Sequence, residues 1–224
     1  MYDIEKFFDE MNVLKSEKER RIKTANLIDD AMRDFFDSQI EDVESGIYPE
    51  RSKKGYYTDL LIDLYFTFLP EKERYSEEFK GKAGEFAQNI QNTTDKVILN
   101  DKPKKGASSK NDANTRDEKA KSNEVSDTQK QAVFSDNRVR IISLNESLQI
   151  WNTLRHKELM GRQATHTWQT MEDDRVRPTH VEADGQTVPI EEPFHVGGYL
   201  LMYPGDRSLG AGEEEIILCR CYEL

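Results

Sequence analysis

The residues with most chemical potential are two cysteines and four histidines. Cys219 and Cys221 are separated only by Arg220. A disulfide across that spacing is strained, because the side chains of neighbouring strand residues alternate faces and i, i+2 Cα atoms lie about 6.5–7 Å apart. The pair is buried thiol, metal ligand or incidental. His180 has acids around it and could do acid–base work, and His156, His166 and His195 are further candidates. No Gly-rich phosphate loop, nucleophile elbow, His-Glu-x-x-His or kinase-type set accompanies them. A catalytic reading, a hydrolase or nuclease using His180, therefore stands behind a non-enzymatic one.

The rest of the chain must position these groups. Its 224 residues fit one large domain or two small ones. Charged residues make up 33% and the mean hydropathy is -0.83, so part of the chain should be solvated helix or linker. The net charge of -11 divides into -7, +2 and -6 over residues 1–100, 101–130 and 131–224. None of these segments carries the basic stripe of a protein that wraps duplex DNA. No apolar run reaches the ~20 residues that span a bilayer. The start, Met1-Tyr2-Asp3-Ile4-Glu5-Lys6, is unlike a signal peptide. Synthesis in a cytoplasm is expected.

Apolar residues recur at helical steps through residues 1–44, with Ile22, Ala25, Ile28, Met32, Phe35 and Phe36 among them. A second helix is expected from Gly55 to Leu69, stopped by Pro70, and a third over residues 76–98. The aromatic cluster from Tyr56 to Phe68 reads as helix core in preference to a docking surface. From Asp101 to Lys130 the only strongly aliphatic residue is Val125, and periodicity is lost. Such a segment cannot offset its ordering entropy. A helix is expected again over 136–160, then a strand around Trp168, a turn at Asp184-Gly185 and a terminal strand from Ile216 to Tyr222. The fold class is α+β. A helical N-terminal region (1–99) and a flexible linker (100–132) precede a small C-terminal domain (133–224) with a long helix and a short irregular sheet.

The last part of the chain resembles the phage Mu F-like minor head protein, or head morphogenesis, family. Its pattern is an ordered set, and the match covers roughly residues 138–224. After the helix at 138–160 come Trp168-Gln169-Thr170 and the acidic bend Asp173-Asp174-Arg175-Val176-Arg177-Pro178-Thr179-His180. Asp184-Gly185-Gln186-Thr187-Val188-Pro189, Glu192-Pro193-Phe194 and Leu201-Met202-Tyr203-Pro204-Gly205-Asp206 follow, and Cys219-Arg220-Cys221 closes the set.

Many members of the family show Cys-Pro-x-Cys in the bend and His-Pro-x-Cys-x-Cys at the end. Here Arg177 and His180 stand at the two bend positions, and Tyr203 precedes Pro204 where a histidine is common. The resemblance leaves His180, Cys219 and Cys221 as possible zinc ligands, with water or Asp206 as a fourth. A structural zinc site normally takes four protein ligands, so a metal-free network is preferred, with no cofactor. In it Arg175 and Arg177 pair with Asp173, Asp174 or the acids 213–215, and His180 is a hydrogen-bonded structural histidine. Cys219 and Cys221 share one face of a strand. Trp168, Asp174, Arg175, Arg177, His180, Asp184, Gly185, Cys219, Arg220 and Cys221 make up the expected network.

The resemblance implies a minor structural head protein of a tailed phage or prophage, made in the host bacterial cytoplasm and carried in the virion, in the head interior or at the portal vertex. It implies portal and capsid or scaffold proteins as partners, with contact to packaged DNA and a part in DNA packaging or ejection. No membrane and no small-molecule substrate are expected. A small zinc-binding interaction module is the alternative.

Overall fold

The computed structural model describes residues 1–99 and 125–224. The chain forms two compact units, one of residues Met1–Met32 with Val139–Leu224 and one of Arg33–Arg138. The sequence reading divides the chain by its order, and the structure divides it differently. The opening residues fold with the C-terminal part. Of the expected linker, residues 100–124 lie outside the described residues. Within 125–132, Ser126 starts a helix through a capping box with Gln129.

Unit Arg33–Arg138 is helical. It takes the second half of α2 (Lys15–Glu44) and then α3 (Tyr48–Lys53), α4 (Tyr56–Phe68), a 3₁₀ turn (Glu71–Glu73), α5 (Glu77–Ile98) and α6 (Asp127–Val133). Gly55 enters α4 in the left-handed conformation, which costs glycine little. Pro70 follows the helix, since it cannot donate to another turn. The aromatic cluster is mostly core. Tyr57, Leu61, Tyr65, Phe66 and Phe68 are buried with Phe79 and Phe86 of α5, while Tyr56 and Leu60 are exposed. Several polar groups inside this core are paired, while Gln39 Oε1 has no partner among the described residues. Tyr57 donates to Asp42 at 2.7 Å, Tyr48 donates to Asp95 at 3.0 Å, and Gln91 donates to Tyr48 at 2.8 Å.

In the other unit α1 (Ile4–Asp9), capped by Asp3, lays Ile4, Phe7 and Phe8 against Leu144 and Leu148 of α7 (Asp136–Met160). Nearly all of α7 between Ser143 and Thr153 is buried, polar residues included, and Asn145, Ser147 and Asn152 hydrogen-bond there. Beyond it the elements are short. They are β1 (Thr165–Gln169), α8 (Pro178–Ala183), β2 (Thr187–Pro189), β3 (Phe194–Val196), β4 (Tyr199–Leu201), α9 (Glu213–Ile216) and β5 (Tyr222–Glu223). Strand β1 is central in an antiparallel sheet of order β2-β1-β5, with His166 opposite Val188 and Trp168 opposite Glu223. β3 and β4 form a hairpin whose two-residue turn is Gly197-Gly198, both at positive φ.

The expected terminal strand is a correction. Residues 213–216 are helical, and only Tyr222 and Glu223 join the sheet. Leu218 turns the chain between them. It adopts φ 52°, and its N–H is held by the Asn145 side chain of α7 at 3.2 Å. An apolar run had suggested a strand, but a side-chain acceptor from a neighbouring helix bends it.

Candidate functional site

Two buried clusters lie in this region, the first against Trp168, which is itself fully buried. The first contains the three residues singled out from the sequence. His180 comes from α8, a short helix that Pro178 can start because its missing N–H lies at an N-terminal position. Cys219 and Cys221 lie in the irregular stretch after Leu218. They are not on a strand face, yet both sulfurs reach one imidazole nitrogen. His180 Nδ1 is 3.4 Å from Cys221 Sγ and 3.6 Å from Cys219 Sγ. The other ring nitrogen, Nε2, is 2.9 Å from Glu215 Oε2, and Thr179 donates to the same oxygen at 2.8 Å. The indole ring of Trp168 stands edge-on to His180 at 5.4 Å. Both thiols are free.

The electrostatics favour one shared negative charge. A hydrogen bond from Cys221, helped by one from His180, holds Cys219 well below the ordinary thiol range. The same contact with Cys219 pushes Cys221 up, so Cys221 keeps its proton and donates it toward Cys219. Burial alone would lower His180, but the hydrogen bond and charge of Cys219, with Glu215 behind them, raise it. Two acceptors on opposite ring nitrogens fit an imidazolium.

A bracing layer surrounds this cluster. Arg177 donates to the Ile217 carbonyl, tying the bend directly to the turn before Cys219. Arg220 binds both oxygens of Asp173 at 2.7 and 2.8 Å. Arg220 holds Asp173 down to about 2. Arg175 pairs with Asp173 and with Glu10 at 2.6 Å. Asp184 accepts from the Thr170 N–H at 2.7 Å, and Gly185, at φ 73°, makes the turn that follows.

The expected network is therefore changed in its partners. Asp174 is exposed and makes no ion pair among the described residues. Of the acids offered as alternatives for the arginines, Asp173 is the one that Arg175 and Arg220 bind. Glu215 binds His180. Asp206 is no fourth ligand. It accepts from the N–H groups of Met202 and Ser208 and from the Ser208 hydroxyl, closing its own turn.

As a zinc site the cluster is incomplete. His180, Cys219 and Cys221 bring their donor atoms within 4.8 Å of one another, and Glu215 behind His180 is the kind of outer partner that metal-bound histidines have. Among the described residues the fourth corner lacks a donor. Arg177, at the position where many related chains carry cysteine, lowers the imidazolium of His180, and a metal cation would meet the same repulsion. The donor set fits an imidazolium–thiolate pair better than zinc.

The second cluster was not assembled from the sequence. His156 of α7, His166 of β1 and Glu223 of β5 meet in a second cluster, and all three are buried. The sequence offers His156 and His166 only as separate histidines. Burial of His166 follows from its alternation with Trp168 along β1. The pairing of Trp168 with Glu223 needs the tertiary fold.

These features describe a non-repetitive α+β domain whose short elements are cross-braced by buried polar and sulfur groups. The family model described as "Phage Mu protein F like protein" matches residues 82–223. The chain belongs to that family, one of phage head morphogenesis. No curated protein and no solved structure matches it.

Proposed function

We propose that this chain is a minor structural protein of a tailed-phage or prophage head, associated with the portal or the capsid interior and acting without catalysis. The observation that carries the reading is the family match, whose motif residues converge on a buried lock. His180, Cys219 and Cys221 are 1%, 2% and 3% exposed, which suits a brace and gives a substrate no approach. Portal and capsid or scaffold proteins are the proposed partners. A part in DNA packaging or ejection fits the family, although the acidic balance of both charged segments argues against tight binding to duplex DNA.

Immunodetection in purified virions and procapsids tests the assignment. The protein should be present in one or both. Deletion of its gene should leave heads that form but lose infectivity. Absence from both particle types would overturn the reading. Convergence of two sulfurs and an imidazole supports a second one, a zinc-binding interaction module. That reading requires a metal whose spectrum carries thiolate ligation, and the preferred reading expects none.

A further inference from the structure

We infer that His156, His166 and Glu223 form a second, sulfur-free site for one divalent transition metal of the zinc class. Glu223 is 1% exposed and His166 is 0% exposed. Both histidines direct Nδ1 to the same carboxylate oxygen, Glu223 Oε2, at 3.2 Å for His156 and 2.9 Å for His166. The three donor atoms lie within 4.8 Å of one another. With metal–ligand bonds of about 2.0–2.2 Å, neighbouring donors of a tetrahedral site sit about 3.3 Å apart. The observed spacings approach that value.

The hydrogen bonding around the cluster gives an independent reason. His166 Nε2 is 3.0 Å from the Glu192 carbonyl, which only accepts, so Nε2 carries a hydrogen. In the neutral ring Nδ1 then presents a lone pair to a carboxylate oxygen. Two electron-rich atoms 2.9 Å apart are held by a proton or by a metal cation between them. A backbone carbonyl fixing the far nitrogen of a histidine is also the usual outer support of a metal-bound imidazole. Glu223 Oε1, the other carboxylate oxygen, is buried with no hydrogen-bond partner among the described residues. An orphaned buried carboxylate oxygen is costly, and a cation bound by both oxygens would satisfy it.

The two clusters separate cleanly in charge. His180 and the cysteines have Arg177 beside them, whereas the ion pairs of Glu223 among the described residues are those with the two histidines. Two neutral imidazoles and one carboxylate suit zinc, and no thiolate is involved. Phe194 against His166, at 4.2 Å between ring centres, and Tyr203 against His156, at 5.1 Å, close the site, so the ion would be structural. It would bind β5 to α7 and β1 at once.

The test uses the full chain, stripped with a chelator and titrated with Zn²⁺ and then with Co²⁺. One equivalent should bind and raise the melting temperature by several degrees. The Co²⁺ form should show visible d–d absorption with no sulfur-to-cobalt charge-transfer band. Glu223→Gln and His166→Gln should each weaken binding by more than about a hundredfold, beyond the 10–100-fold that outer-shell changes cost. Where the Cys219→Ser/Cys221→Ser double variant remains folded, its Co²⁺ form should show the same d–d spectrum as the unaltered chain. A charge-transfer band in the unaltered chain would place the ion at the cysteines and overturn the inference. So would failure of the folded, helical chain to bind either metal, which would leave protons alone holding the cluster. The Co²⁺ spectrum of the unaltered chain decides the matter even if a variant fails to fold.

Discussion

The helical unit of residues 33–138 and the short-element region of residues 165–223 bury polar groups for opposite reasons. In the helical unit, α4 and α5 present periodic aromatic faces, and Phe79, Leu61 and Tyr65 are almost fully enclosed. The phenols of Tyr48 and Tyr57 sit within that core and settle the carboxylates of Asp95 and Asp42. Burial, more than the neighbouring charge, pushes both phenols far above their usual range, so they remain neutral donors. The core would exist without them. In residues 165–223 no element after β1 exceeds six residues. An apolar cluster is present around Trp168, Phe194, Val196 and Leu201, but the segments reaching it are mostly loops. There the imidazole, thiols and carboxylates connect pieces that have no ladder of their own.

That contrast can be broken most directly at His180. His180→Ala leaves Glu215 and Cys219 buried without their shared cation, at an expected cost of about 3–5 kcal/mol. Hydrogen exchange should show protection lost across residues 165–223 while α4 and α5 keep theirs. A cost no greater than that of Tyr57→Phe would erase the distinction. Gly197→Ala comes next. Gly197 has φ 58°, and a Cβ there would collide with the Glu215 carboxylate that holds His180. Backbone strain and displacement of Glu215 should together cost about 2 kcal/mol in denaturant unfolding. Tyr57→Phe removes one hydrogen bond to Asp42 and keeps the ring, which stacks on Tyr48 at 4.9 Å. About 1 kcal/mol is expected, with no loss of far-UV helicity.

The smallest effect sharpens the comparison through pH. Asp173 titrates near 2 in the folded chain, against an ordinary value of 3.8, because Arg220 binds it. A depressed carboxylate stabilises the fold above its unfolded pKa, and the contribution fades as pH falls from about 4 toward 2. Asp173→Asn should remove that part of the acid dependence of residues 165–223. Because Asp173 is partly exposed, the change should stay below about 1 kcal/mol. Stability–pH curves of the two chains that run a constant distance apart above about pH 4 and converge as pH falls toward 2 are the expected result, and curves parallel throughout would contradict it.

Much of this was legible where periodicity is strong. The helix expected over 136–160 spans Asp136–Met160, and those expected from Gly55 and over 76–98 differ from the structure by a residue or so at the ends. Local turn chemistry identified Asp184-Gly185. Convergence of His180 with Cys219 and Cys221 was legible only through the family pattern, since nothing in spacing alone joins positions about forty residues apart. Leu218 hid its turn, because a branched apolar residue gives no hint of positive φ and the acceptor that holds it, Asn145, lies on another helix. Glu223 hid its role for a similar reason. A carboxylate near the end of an acidic chain looks solvated until β5 pairs with β1 and turns it inward.

The union of Met1–Met32 with Val139–Leu224 bears on how the chain matures. At synthesis rates of about 5–20 residues per second, α1 emerges many seconds before Leu144 and Leu148 exist to receive it. The middle of the polypeptide can complete its own structure in that interval. Ile4, Phe7, Phe8 and Met11 meanwhile stay wet and adhesive, so the nascent chain carries an aggregation-prone helix until α7 is made.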